Sequence, residues 1–67
     1  MAWKTISEYF SDDKSKKAII NVDLKTCCYF IDFYDCDIYI DSRSYPEKSI
    51  HFVEVAAENY TLGILVV

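Results

Sequence analysis

Cys27 to Tyr34 constrains this chain most. The run Cys27-Cys28-Tyr29-Phe30-Ile31-Asp32-Phe33-Tyr34 is almost wholly aromatic, β-branched or cysteine, with a single charge. Residues of this kind fit a pleated, half-buried surface better than a helix. Asp37 to Arg43 then alternates, with Ile38 and Ile40 on one face and Asp37, Tyr39, Asp41 and Arg43 on the other. Between the two runs, Asp35-Cys36 can reverse the chain, because Asp tolerates unusual backbone angles. An aromatic-rich β-hairpin is therefore expected at the centre of the fold.

The flanking segments have periods of their own. Ala18, Ile20, Val22 and Leu24 alternate with Ile19, Asn21 and Asp23, which predicts another strand. Trp3, Ile6, Tyr9 and Phe10 are spaced as on one side of a short helix. The polar stretch Ser11 to Lys16 reads as a loop. Ser44-Tyr45-Pro46-Glu47 looks like a helix start, with Ser44 as cap, Glu47 three residues on, and Pro46 in the first turn. Ile50, Val53, Ala56, Ala57 and Tyr60 form one helical stripe, opposite His51, Glu54 and Glu58, and Gly63 is placed to end the helix. Ile64 to Val67 leaves as an extended tail. The expected fold is α+β in the order α-β-β-β-α, a single domain over residues 1–67. A three-stranded antiparallel sheet would carry both helices on one face. Ile20, Val22, Tyr29, Ile31, Phe33, Ile38 and Ile40 would be buried beneath them.

Sixty-seven residues lie near the lower limit for a self-sufficient core, and the 16% aromatic content offsets that. Each buried aromatic side chain removes roughly 150–250 Å² from water. Seven Lys and Arg face eleven Asp and Glu, for a net charge of −4. Nucleic-acid affinity comes largely from basic residues neutralising phosphates, so this balance speaks against nucleic acid as the partner. Lys14, Lys16 and Lys17 are the one basic cluster. No run approaches the roughly 20 apolar residues of a membrane span, and no apolar signal core follows Met1-Ala2-Trp3-Lys4. Cys27, Cys28 and Cys36 are odd in number, with two adjacent, which reads as reduced thiols in a cytoplasmic protein.

Several constellations could carry chemistry. On the face of the sheet away from the helices, Phe30, Tyr34 and Tyr39 gather with Asp32, Asp41 and Asn21. A contiguous aromatic patch ringed by acids has the composition of an interaction site. Against that stands a cover formed by the tail or the N-terminal segment, or a second copy packed sheet to sheet as a homodimer. Asp32, Asp35, Asp37 and Asp41 lack the Gly and distal Glu of a calcium loop and read as a solvated hairpin edge, with an acidic mimic of phosphate backbone as the sharper idea. Cys27 and Cys28 would point to opposite faces of a strand, so with Cys36 and His51 they make no tetrahedral zinc site. His51, the only histidine, falls on the charged side of its helix. No phosphate-cradling Gly loop is possible with one Gly. No metal, cofactor or catalytic residue is expected, nor any enzymatic activity.

Two resemblances stand beside these readings. The expected element order, with Ala56-Ala57-Glu58 in the last helix, resembles a double-stranded-RNA-binding domain. That family implies a basic cluster at the start of the last helix, where this chain has Pro46-Glu47-Lys48-Ser49-Ile50-His51-Phe52 with one Lys. The segment Val55-Ala56-Ala57-Glu58-Asn59-Tyr60-Thr61-Leu62-Gly63-Ile64 resembles short uncharacterised proteins of marine cyanobacterial phages. The likeness implies action in a host cytoplasm and no catalytic residues. Together these lead to a small, acidic protein-binding module, phage-encoded and modulating a host protein through Phe30, Asp32, Tyr34, Tyr39 and Asp41. Alternatives are a nucleic-acid-binding domain using Lys14, Lys16, Lys17 and Lys48, and a homodimeric virion component.

Overall fold

The computed structural model describes residues 3–67. Four strands precede one helix: β1 (Trp3–Phe10), β2 (Lys16–Asp23), β3 (Tyr29–Asp35), β4 (Ile38–Tyr45) and α1 (Ile50–Thr61). The strands form an antiparallel meander in the order β1-β2-β3-β4. The class is α+β, as expected. Four strands and one helix replace the expected three strands and two helices, and the first element of the likeness to a double-stranded-RNA-binding domain is a strand.

The correction at β1 has a local cause. Thr5 pairs with Asn21 and Ser7 with Ile20, so Ile6 is an extra residue. Such a bulge resets the alternation of faces. Trp3 and Thr5 share one face with Glu8 and Phe10, while Ser7 and Tyr9 take the other. The apolar spacing at 3, 6, 9 and 10 thus mimics a helical stripe. A helix of this length is also costly to nucleate unless its apolar face is buried. As a strand, the segment gains a ladder along β2.

The turns and helix ends follow from local chemistry. Cys36 and Asp37 both have positive φ, 52° and 65°, as a two-residue hairpin turn that follows the strand twist requires. α1 starts later than expected. Its cap is Ser49, whose Oγ accepts the Phe52 N–H at 3.3 Å, whereas Ser44 lies within β4 and Glu47 takes a left-handed turn conformation with φ 63°. The C-terminal end is as expected: Gly63 has φ +80°. Its N–H donates to the Tyr60 carbonyl at 3.1 Å, and the Ile64 N–H donates to that of Asn59 at 2.8 Å. These two bonds make a Schellman cap, and only Gly adopts that angle without strain.

The core lies between α1 and the sheet. Ala18, Ile20, Ile31, Phe33, Val53 and Ala57 are fully buried, and Tyr60 nearly so. The Phe33 and Tyr60 rings meet edge to face at 4.7 Å, and the Tyr60 hydroxyl donates to the Tyr34 carbonyl at 3.0 Å. Burial pushes the Tyr60 pKa up. Val22 and Tyr29 are half-buried. Ile38 and Ile40, expected in the core, are 65% and 44% exposed. α1 lies over β2, with β1 and β3 to either side. A helix is about 10 Å wide and strands are about 4.8 Å apart, so one helix cannot also cover β4. Leu65 and Val67 of the tail pack against the rim of this core, on the helix side.

Candidate functional site

The outer face of the sheet is assembled from all four strands. Cross-strand partners share a face, so Asn21 pairs with Phe30 and with Thr5, and Asp32 with Ile19 and with Ser42. Tyr34 stands opposite Tyr39 and Lys17. Phe30, Asp32, Tyr34 and Tyr39 therefore come together as expected. Asp41 does not. It stands opposite the buried Phe33, on the helix side. The cause is a second bulge: Phe33 pairs with Asp41 but Tyr34 pairs with Tyr39, which leaves Ile40 extra and turns the alternation over.

A chain of hydrogen bonds crosses the middle of the face. The Thr5 hydroxyl donates to Asn21 Oδ1 at 2.8 Å, and Asn21 Nδ2 donates to Asp32 Oδ2 at 3.1 Å. The Ser42 hydroxyl donates to the other oxygen of Asp32, and the Tyr39 hydroxyl lies 2.8 Å from Ser42 Oγ. Asn21 is fully buried although it is on the outer face. Its neighbours Thr5, Phe30 and Asp32 close over it, and its amide is satisfied within the ladder. Polar groups removed from water in this way stabilise only when fully paired.

Aromatic pairs flank the ladder. Trp3 and Phe30 meet edge to face at 6.3 Å, and Tyr34 and Tyr39 at 5.7 Å. The Lys17 ammonium sits 4.6 Å from the centre of the Tyr34 ring. Trp3, Thr5, Lys17 and Ser42 are additions to the expected set. The helical reading of β1 hides Trp3 and Thr5. A polar Asn21 inside the apolar run Ala18-Ile19-Ile20-Asn21-Val22 is the signal that a partnered polar group lies within the sheet. Neither expected cover is present among the described residues: the N-terminal segment widens the face as β1, and the tail lies with α1.

Lys16, Lys17 and Lys48 do not converge. Lys17 rests on Tyr34 of the outer face, Lys16 on Tyr60 of the helix layer at 5.5 Å, and Lys48 on Phe52 at 4.9 Å. Among the described residues, no three His, Cys, Asp or Glu side chains group as metal ligands would, and no helix is long and apolar enough to cross a membrane. A groove of about 290 Å³ runs between β4 and α1, lined by Arg43, Tyr45, Phe52, Val55, Ala56 and Leu65 among others. That is at the small end of ligand pockets, which begin near roughly 300 Å³. Compared with protein families, curated proteins and solved structures, the chain finds no match.

Proposed function

We propose that this chain is a small, non-enzymatic protein-binding module whose contact surface is the outer sheet face. The observation that carries the reading is a set of aromatic rings on one face, Trp3 and Tyr39 exposed and Phe30 and Tyr34 half-buried, set beside a hydrogen-bonded ladder. Trp3, Phe30, Tyr34 and Tyr39 supply large, stiff contact area, and aromatic anchors of this kind dominate protein interfaces. Asp32 at the centre selects a partner that brings hydrogen-bond donors. The resemblance of the C-terminal segment to cyanobacterial phage proteins supports a host cytoplasmic protein as that partner. Asp41 is not part of this surface.

The test is capture from a cyanobacterial lysate with the wild-type chain and a Tyr34→Ala/Tyr39→Ala variant. Truncating an aromatic anchor costs roughly 2 kcal/mol, about thirtyfold in affinity, so specific partners should be lost from the variant. Equal recovery of every captured protein by a folded variant overturns the proposal.

A further inference from the structure

We infer that β4 is a self-complementary edge through which two copies pair antiparallel about Ser42. β4 is an outer strand of the sheet, and seven consecutive residues, Ile38 to Ser44, are exposed. It contains neither Lys nor Pro, two devices that commonly blunt such edges. Its bulge falls at Ile40, which leaves Asp41 to Tyr45 in regular register with β3. The Ser42 N–H donates to the Asp41 carboxylate at 2.9 Å. That N–H is bonded locally rather than to β3, so a neighbouring strand can take it by exchanging the Asp41 carboxylate for a carbonyl.

Charge selects the register. With Ser42 opposite its own copy, Asp41 of each chain faces Arg43 of the other, twice, across the two-fold axis. Cross-strand pairs beside a hydrogen-bonded pair have the closer Cα spacing, about 4.5 Å, where opposite charges attract and like charges repel most. Moving the axis to Arg43 sets Arg against Arg. Moving it to Asp41 sets Asp against Asp. The Asp-Ser-Arg triplet favours one register over both of its neighbours. Asp41 and Arg43 lie on the helix side of β4, and α1 does not cover this strand, so the side chains are free to meet. The axis stands perpendicular to the sheet, which keeps both helices on one side. The result is a continuous eight-stranded sheet with the two outer faces side by side. The contact is short, so the association is weak, well below that of a standard interface of about 1,600 Å².

Sedimentation of the wild-type chain up to roughly millimolar concentration, with Asp41→Arg and Arg43→Asp variants alone and mixed, tests this. Each variant alone should self-associate at least about tenfold more weakly, because two attractions become two repulsions. The equimolar mixture should recover dimers, since one chain then carries arginine at both positions and the other carries aspartate at both. The variants carry net charges of −2 and −6 against −4, so the mixed pair has the same total as two wild-type chains and bulk charge cannot explain recovery. A wild-type chain that stays monomeric throughout overturns the inference. So do variants that dimerise like wild type, or a mixture that fails to recover. No outside partner is involved, so failure here is separate from failure of the outer-face reading.

Discussion

Replacing Asn21 with Ala removes the central rung of the outer-face ladder. Asn21 is fully buried, and its amide accepts from Thr5 at 2.8 Å and donates to Asp32 at 3.1 Å. A hydrogen bond to a charged group is worth about 1.5–3 kcal/mol and a neutral one about 1 kcal/mol. Thr5 is exposed and Asp32 keeps Ser42, so both can regain water or a partner, and the expected net loss is about 2–3 kcal/mol. A domain of 67 residues has a total stability of roughly 3–10 kcal/mol, so the loss is a large fraction. Unfolding entropy scales to about 140 cal/mol/K for this length, which gives a fall in Tm of roughly 15–20 °C. Urea denaturation followed by circular dichroism measures the loss directly. Thr5→Val alone should cost about 0.5–1 kcal/mol, and Thr5→Val/Asn21→Ala should fall short of the sum by a similar amount. An Asn21→Ala loss under about 0.5 kcal/mol, or strict additivity of the pair, would refute the ladder as a stabilising unit.

Other outcomes follow from single contacts. Tyr60→Phe removes the hydroxyl that donates to the Tyr34 carbonyl and should lower stability by about 1 kcal/mol in the same assay. Ser49→Ala removes the cap of α1 and should also cost about 1 kcal/mol, with Ser49→Gly closer to wild type. Asp13 accepts from the Ser15 N–H, then from the Ser11 and Ser15 hydroxyls, which lowers its pKa from the ordinary 3.8 to about 2. Because the folded value is the lower one, the contribution of these bonds is complete above pH about 4 and fades as pH falls toward 2. An NMR titration of Asp13 with its midpoint near the ordinary value would contradict this. The Asp35 carboxylate raises the pKa of the exposed Cys36 thiol, chiefly by hydrogen bonding and then by charge. Asp35→Asn should therefore speed alkylation of Cys36 by iodoacetamide at mildly alkaline pH.

Much of this architecture is legible in residue order, and where it is not, bulges are the main reason. The alternation of Ala18 to Asp23 and the apolar density of Tyr29 to Tyr34 report strands directly, because each is long enough to hold a single face pattern. The stripe Val53, Ala57 and Tyr60 and the Gly63 stop report α1 in the same way. At Ile6 and Ile40 one inserted residue reverses every side chain beyond it. The first insertion turns a strand into a mimic of a helix, and the second carries Asp41 away from Phe30, Asp32, Tyr34 and Tyr39. An insertion of this kind is set by the partner strand, so no local period reports it. Exposure of Ile38 and Ile40 likewise depends on where α1 comes to lie. The helix start moves from the expected Ser44 to Ser49 because β4 runs on through Ser44 and the turn at Pro46-Glu47 follows it.

Asp32 gives the outer face a property that its rings alone would not. A carboxylate held mid-surface by Asn21 and Ser42 must shed water whenever something flat settles over it. The effective penalty is several kcal/mol per ion unless a donor arrives to offset it. A purely apolar surface brings no such donor and is disfavoured there. A guanidinium, an ammonium or a free backbone N–H at that point would offset the penalty, with Trp3, Tyr34 and Tyr39 on the same face beside it. For the binding role proposed above, the rings would set the strength of a contact and this one carboxylate its selectivity.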